Sequence, residues 1–173
     1  MKPCIIIGSG SDLNGRNLGA AIDAGEFGEV VRVNKFYGEL TDVGVRTDWV
    51  FTLAREFFLA SCVRRFGHPL KVGHMVQTRV SRRNMAPRLF RSALIDWLDL
   101  KSPSAGIEAV FGMIGRGYLP TLIGYGFKGG AVVNEVKTYC DGRKDTRMYG
   151  EHDFDRENEI LLKLAARGLV RLP

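Results

Sequence analysis

A histidine that could act as a base and a glutamate that is predicted to be buried lie close together near the carboxyl end of the sequence. The stretch HDFDRE runs from His152 to Glu157 and precedes the apolar residues Ile160, Leu161 and Leu164. Ile160, Leu161 and Leu164 follow Glu157 by three, four and seven residues, so in a helix Glu157 lies on the same buried face as these apolar residues. A carboxylate on that face needs hydrogen-bond partners, because an unpaired buried charge is costly.

His152 comes just before this helix, and Asp153 has the residue type and position of an N-cap. A neutral imidazole at that place can accept a proton, which suits a general base. An exposed histidine beside a capping aspartate is the simpler interpretation of the same residues. Asp153 and Asp155 also form a D-x-D pair of the kind that binds metal ions. Carboxylates are favourable at a helix start without a metal, so we predict capping and no metal site.

A glycine-rich segment, GSGSDLNG, follows the first apolar run, CIII. Glycine backbone after a strand allows close approach to a phosphate. The dinucleotide fingerprint G-x-G-x-x-G is not matched, because Leu13 stands where the third glycine belongs. Asn34 and Lys35 follow the second strand, where an acidic ribose ligand is expected. A tight turn without a ligand therefore explains the segment as well as phosphate binding does.

Apolar runs alternate with helical patterns along the chain. This alternation predicts an α/β fold over residues 1–173, a single-domain Rossmann-like three-layer sandwich with a mostly parallel sheet. Ligands of such sheets lie at the carboxyl ends of strands, where GSGSD and GYGF both fall. We predict strands at 4–7, 30–33, 49–51, 71–76 and 122–125, helices at 15–24, 53–66, 87–98, 105–115 and 154–167, and a long mobile loop at 128–150.

The composition of the 173 residues, 45% hydrophobic and 25% charged, is typical of a soluble globular domain. Apolar runs are too short for a membrane span or a secretory signal. The net charge of +6 favours an anionic partner. Nucleic acid is disfavoured, because the basic stretch 79–91 contains Phe90 as its only aromatic residue. Cys4, Cys62 and Cys140 form no CxxC pair, which indicates reduced thiols in the cytoplasm.

Four separated stretches resemble the sialyltransferases of eukaryotic type, glycosyltransferase family 29, which use a CMP-activated sugar. The segment from CIIIGSGSDL through VVRVN to TDVGVRT is similar to the long motif of the family, and SPSAG with GYGF is similar to its short motif. HDFDRE matches the very short motif H-x-x-x-x-E, and KTYCD weakly resembles the tyrosine-containing motif. The stretches keep the order and approximate spacing of the family, whereas residues 52–100 are unmatched.

This resemblance implies a variant GT-A-like glycosyltransferase domain with a pocket for CMP. It implies that His152 is the catalytic base of a single inverting displacement and that Glu157 fixes the approach of the histidine. Neutral donors and backbone amides would stabilise the leaving phosphate, so that neither a metal nor another cofactor is required. Carried over by position, the donor-binding residues are Gly8, Ser9, Gly10, Asn34, Ser104, Ala105, Gly106, Gly126 and Tyr139.

Departures from the family pattern widen the expected range of donors and change the expected location. Ser9 replaces an asparagine and Ala105 a threonine, so the donor is expected to be CMP-sialic acid or CMP-Kdo, and the acceptor a glycan or glycolipid. The family normally joins its long and short motifs by a disulfide. Cys4 matches one partner, but the other position falls near Leu119. We therefore expect a cytoplasmic enzyme. The basic segment 55–91 fits ordinary surface charge, which is the default interpretation, and equally fits contacts with the acceptor or peripheral contact with an anionic membrane surface.

Two other functions fit the same residues. One is a different nucleotide-dependent enzyme, such as an NADP-linked reductase or a methyltransferase. The other is a non-catalytic relative that binds CMP or a glycan, which the substitutions at Ser9 and Ala105 make credible. Donor hydrolysis that depends on His152 would distinguish an enzyme from a binding protein.

Overall fold

Alternating apolar runs and helical segments build the expected α/β sandwich. The computed structural model describes residues 1–77, 93–100, 102–132 and 152–173. The strands are β1 (Lys2–Ile7), β2 (Glu29–Val33), β3 (Trp49–Thr52), β4 (His74–Gln77), β5 (Tyr118–Ile123), β6 (Phe127–Lys128) and β7 (Ala131–Val132). The helices are α1 (Gly19–Ala24), α2 (Leu40–Val43), α3 (Arg55–Phe66), α4 (93–98), α5 (Ala105–Ile114) and α6 (Phe154–Ala166).

Five of these strands form one parallel sheet in the order β4-β3-β2-β1-β5, and β6 and β7 form a separate antiparallel hairpin. The chain moves outward from β1 to β4 and then returns to the other side of β1 as β5. The order of the strands therefore reverses between β1 and β5. In open α/β sheets, ligands bind at the carboxyl ends of the strands beside such a reversal.

Strand β1 contributes side chains to two hydrophobic cores, one on each face of the sheet. Because successive side chains of a strand point to opposite faces, Cys4 and Ile6 pack with α5 and α6, whereas Ile5 and Ile7 pack with α1, α2 and α3. The three-layer α/β architecture is confirmed. The first core includes Val31, Phe51, Val110, Met113 and Leu161, and the second includes Ile22, Val30, Val43, Val50 and Phe58.

Two helices begin at the capping residues that the sequence indicates. The Ser104 hydroxyl accepts a hydrogen bond from the amide of Ile107 at 3.2 Å, at the start of α5. The Asp153 carboxylate accepts one from the amide of Arg156 at 3.0 Å, at the start of α6. Each cap satisfies an amide that has no acceptor within its own helix.

Several boundaries differ from the sequence prediction. Strand β5 begins at Tyr118 because pairing with β1 recruits residues before Leu122, and Pro120 is tolerated on this edge strand. Strand β4 begins at His74 rather than at residue 71. The β6–β7 hairpin occupies residues 127–132 and replaces the first residues of the loop predicted at 128–150, because a two-residue turn brings two short strands into register. Residues 78–92 and 133–151, with the basic stretch 79–91, Tyr139 and Cys140, lie outside the described residues.

In the described part of the chain, no helix has both the length and the apolar character to cross a bilayer. Cys4 faces Pro120 across the β1–β5 ladder, and Leu119 faces Pro3. The position that the family resemblance implies for a bridging cysteine is thus next to Cys4, and it carries no cysteine. Cys4 and Cys62 are buried free thiols.

We expect both buried thiols to be unreactive in the folded protein. Burial raises the pKa of Cys4 to about 12 and also raises the pKa of Cys62. Because the pKa of Cys4 is higher in the folded state, its contribution to stability is complete below about pH 9 and is lost as the pH rises toward about 12. In a Cys140→Ser background at pH 8, labelling by Ellman's reagent should be on the order of a hundredfold slower than in urea. Rapid native labelling of either thiol would contradict this expectation.

Candidate functional site

The glycine loop after β1 lies directly against the turn after β5. The amide of Gly8 donates to the Ile123 carbonyl and the amide of Gly10 to the Gly124 carbonyl, both at 2.8 Å. A Cβ atom on Gly8 would lie 2.3 Å from the Gly124 carbonyl oxygen, so only glycine permits this approach. The amides of Gly8 and Gly10 therefore hold the two loops together, and a donor phosphate would have to meet other atoms of this loop.

Asp12 makes the second connection between these loops. Its carboxylate accepts hydrogen bonds from the amides of Gly124 at 2.9 Å and Gly126 at 2.8 Å. Gly126 was expected to contact the donor, but its N–H is already occupied by Asp12. Sequence reasoning missed this role, because aspartate is a common residue of simple turns and nothing nearby in the chain indicates a partner more than a hundred residues away.

Tyr125 links the same turn to the start of α5. Its hydroxyl donates to the Gly106 carbonyl at 3.1 Å, and a Cβ atom on Gly106 would lie 3.1 Å from the tyrosine ring. Burial raises the pKa of Tyr125 far above its usual value, and the nearby Glu157 carboxylate raises it further. The hydroxyl therefore remains protonated and keeps its role as a donor.

Glu157 joins α6 to the start of α5. Its side chain is buried, as the helical spacing predicts, with 5% of the residue exposed. One carboxylate oxygen accepts from the amide of Ser104 and the other from its hydroxyl, each at 2.6 Å. These short contacts are typical of hydrogen bonds to an ionised acceptor. The carboxylate thus fixes the first turn of α6 against the N-cap of α5.

His152 contacts Ser102, which lies two residues before Ser104 at the start of α5. Its Nδ1 atom lies 2.7 Å from the Ser102 carbonyl oxygen. Because a carbonyl can only accept, we assign the hydrogen to Nδ1. In the neutral ring, Nε2 then carries the lone pair. The Phe154 ring packs at 5.6 Å from the imidazole, centroid to centroid. The histidine is therefore held in one tautomer, with its basic nitrogen on the side of the ring away from Ser102.

Asn34 is placed at the same edge of the sheet but has different neighbours. It has a positive φ of 64° just after β2, and its amide donates to the Phe51 carbonyl at 2.7 Å. Its side-chain oxygen accepts a long hydrogen bond of 3.4 Å from the amide of Leu53. These contacts connect the ends of β2 and β3. They do not reach the glycine loop.

The described site residues, apart from Asn34, fall on one connected set of segments. The glycine loop contacts the 124–127 turn, that turn contacts the start of α5, and the start of α5 contacts the first turn of α6. Ser9 and Ala105 lie within these segments, and Tyr139 lies outside the described residues. The segments on this set are 8–12, 102–106, 124–127 and 152–157.

Much of the long motif forms a scaffold behind this site. Arg32 is 1% exposed and donates to the hydroxyl of Thr47 at 2.9 Å and to three carbonyls of the loop 43–46 at 2.9–3.0 Å. Its guanidinium also lies 4.1 Å from the Phe36 ring centroid. Burial lowers the pKa of Arg32 to about 9, which shows how costly its charge is to bury. The arginine of VVRVN therefore binds the TDVGVRT segment and acts as a structural residue.

Asp42 fixes the next part of the same scaffold. Its two carboxylate oxygens accept from the amides of Gly15 at 3.1 Å and Asn17 at 2.9 Å. The carboxylate is buried and so holds the chain between the glycine loop and α1. The residue is thus a second structural element of TDVGVRT.

The parallel sheet and the strand reversal beside β1 define a Rossmann-like α/β protein, with polar residues at the edge of the sheet where ligands of such folds bind. Residues 1–77 match the model of Glycosyltransferase family 29 (sialyltransferase). This match confirms the predicted resemblance to the family over the first four strands, and it supports the class of a glycosyltransferase. Among curated proteins, none matches the chain significantly.

Solved structures of mammalian sialyltransferases share the fold of the whole chain. One, in complex with Gal-beta-1-3GalNAc-ortho-nitrophenol, is 22% identical with a TM-score of 0.61, over 99% of this chain and 69% of that chain. Another is 21% identical with a TM-score of 0.62, over 99% of this chain and 68% of that chain. The shared fold thus extends beyond the family match at residues 1–77, through the start of α5 and α6.

Proposed function

We propose that this chain is a metal-independent inverting glycosyltransferase that moves sialic acid or Kdo from a CMP-sugar to a hydroxyl of a glycan or glycolipid. The observation that carries the proposal is the placement of His152. The Ser102 carbonyl holds its Nδ1–H, and Glu157 fixes the same helix turn against the start of α5. The basic nitrogen is therefore fixed beside the segments that resemble the donor pocket of the family.

The proposed reaction is a single displacement. Nε2 of His152 removes the proton from the acceptor hydroxyl while the oxygen of that hydroxyl attacks the anomeric carbon. The bond from that carbon to the phosphate oxygen breaks, and its electron pair leaves with CMP. Both the acceptor and the base are held in place before the reaction, which lowers the entropic part of the barrier.

The first turn of α5 is the proposed contact for the phosphate of CMP. The amide of Ile107 is taken by the Ser104 hydroxyl, and the amide of Ser104 is taken by Glu157. By helix geometry, the amides of Ala105 and Gly106 have no acceptor within α5. Such amides stabilise a developing negative charge without a metal. Ala105 and Gly106 thus become the preferred donor contacts of the short motif.

A thermal-shift series with CMP, CDP, UDP, NADPH and S-adenosylmethionine tests the proposal. At a hundredfold excess over the dissociation constant, CMP should raise the melting temperature by about 5–10 °C. Stabilisation by NADPH or S-adenosylmethionine, with none by CMP, would contradict the proposal and favour another nucleotide-dependent enzyme. Release of CMP from CMP-sialic acid or CMP-Kdo, unchanged by EDTA, is the expected catalytic result. CMP binding without any such release would indicate a non-catalytic binding protein.

A further inference from the structure

Asp12 is a buried carboxylate that the proposed reaction does not use. Its side chain is 2% exposed. One oxygen accepts from the amide of Gly124 and the other from the amide of Gly126, so two amides of one turn converge on a single acidic group. Backbone amides in a turn of this kind form an anion-binding concavity, and here an aspartate of the same chain fills it.

Arg16 extends this contact. Its guanidinium donates to the Asp12 carboxylate at 3.2 Å, to the Asp12 carbonyl at 2.6 Å and to the Phe127 carbonyl at 3.0 Å. The arginine balances the buried negative charge and binds the far end of the same turn. Asp12 and Arg16, which both follow the first strand, thus hold the turn at its two ends.

The turn depends on these hydrogen bonds because the backbone of its two glycines can adopt several conformations at little cost in energy. Gly124 and Gly126 both have positive φ values, 74° and 83°, in a region that glycine enters without strain and leaves just as readily. Between them, Tyr125 reaches the Gly106 carbonyl at the start of α5. The conformation that Asp12 imposes on the turn therefore decides where the Tyr125 hydroxyl, and with it the first turn of α5, is held.

We propose that Asp12 is a positioning residue that locks the 124–127 turn so that the glycine loop and the start of α5 form one donor-binding surface. This inference rests on the proposed function, since the surface it sets is the proposed CMP pocket. The carboxylate is required because both turn groups are donors. An asparagine has one acceptor oxygen, and its NH2 group would face an amide N–H.

The test compares Asp12→Asn with Asp42→Asn. Asp42 is a matched control, because it is also buried and also receives one backbone amide on each oxygen, but in the scaffold behind the site. Both variants should lower the melting temperature. Only Asp12→Asn should raise the dissociation constant for CMP, by about tenfold. Only Asp12→Asn should speed hydrogen exchange at the amides of Gly124 and Gly126.

Arg16→Lys provides a second variant if Asp12→Asn does not fold. It keeps the positive charge but loses the forked contact to Phe127, and it should weaken CMP binding by a smaller factor in the same direction. If the parent binds CMP and Asp12→Asn binds it with the same dissociation constant, the proposed role of Asp12 is overturned. A parent that does not bind CMP would instead overturn the proposed function. In that case, hydrogen exchange at the amides of Gly124 and Gly126 would still test the role of Asp12. An exchange rate that Asp12→Asn leaves unchanged would overturn it.

Discussion

Replacement of His152 by alanine should lower the rate of sugar transfer by about 10²–10⁴-fold, the range typical of a lost general base. The reason is that Nε2 is the proposed acceptor of the hydroxyl proton, while the rest of the ring serves only to hold that nitrogen in place. The dissociation constant for CMP should remain within about threefold of the parent, since a base acts on the acceptor hydroxyl and not on the nucleotide. Release of CMP from the donor in the presence of a glycan acceptor measures the rate.

His152→Asn separates the base from the contact that holds it. The asparagine NH2 group can replace Nδ1–H as the donor to the Ser102 carbonyl, but the side chain contains no basic nitrogen. We expect it to melt close to the parent and to be as inactive as His152→Ala. His68→Ala is the control, because His68 is exposed beyond the end of α3. Retention of a tenth or more of the parent rate by His152→Asn would show that another group is the base.

Loss of the Glu157 carboxylate should produce the largest loss of stability among changes at the site. Glu157→Gln replaces one of two acceptors by an NH2 group, which then faces either the amide or the hydroxyl of Ser104. Hydrogen bonds to charged groups contribute more than neutral ones, and an unpaired buried donor adds its own penalty. We therefore expect the free energy of unfolding to fall by about 2–4 kcal/mol, measured by urea denaturation.

Two companion variants determine whether this loss comes from the contact with Ser104. Glu159→Gln is the control on the same helix, because Glu159 is exposed and pairs with Arg156 and Lys163; its unfolding should stay close to that of the parent. Ser104→Ala combined with Glu157→Gln should cost less than the sum of the single changes, since both remove the same contact. Additive losses would mean that the two residues stabilise the protein independently.

Local patterns in the sequence were sufficient for the five strands of the main sheet and for most of the helices, but not for α2 or the β6–β7 hairpin. The alternation of apolar runs predicted the α/β class, and Ser104 and Asp153 marked the starts of α5 and α6. The helical spacing of Glu157 predicted its burial. These features depend on neighbours within a few residues, so the sequence alone expresses them. The Tyr139 contact, the donor sugar, the domain limits and the cytoplasmic location remain predictions.

What the sequence determined about this protein is therefore which residues have the chemistry for transfer and on which elements they lie. Only the tertiary structure decided which groups they meet. Glu157 binds Ser104, 53 residues earlier, and Asp12 binds Gly126, 114 residues later. Both contacts follow from the placement of β5 beside β1 and of α6 beside α5. That placement minimises the free energy of the whole packed chain, and no short stretch of sequence contains it.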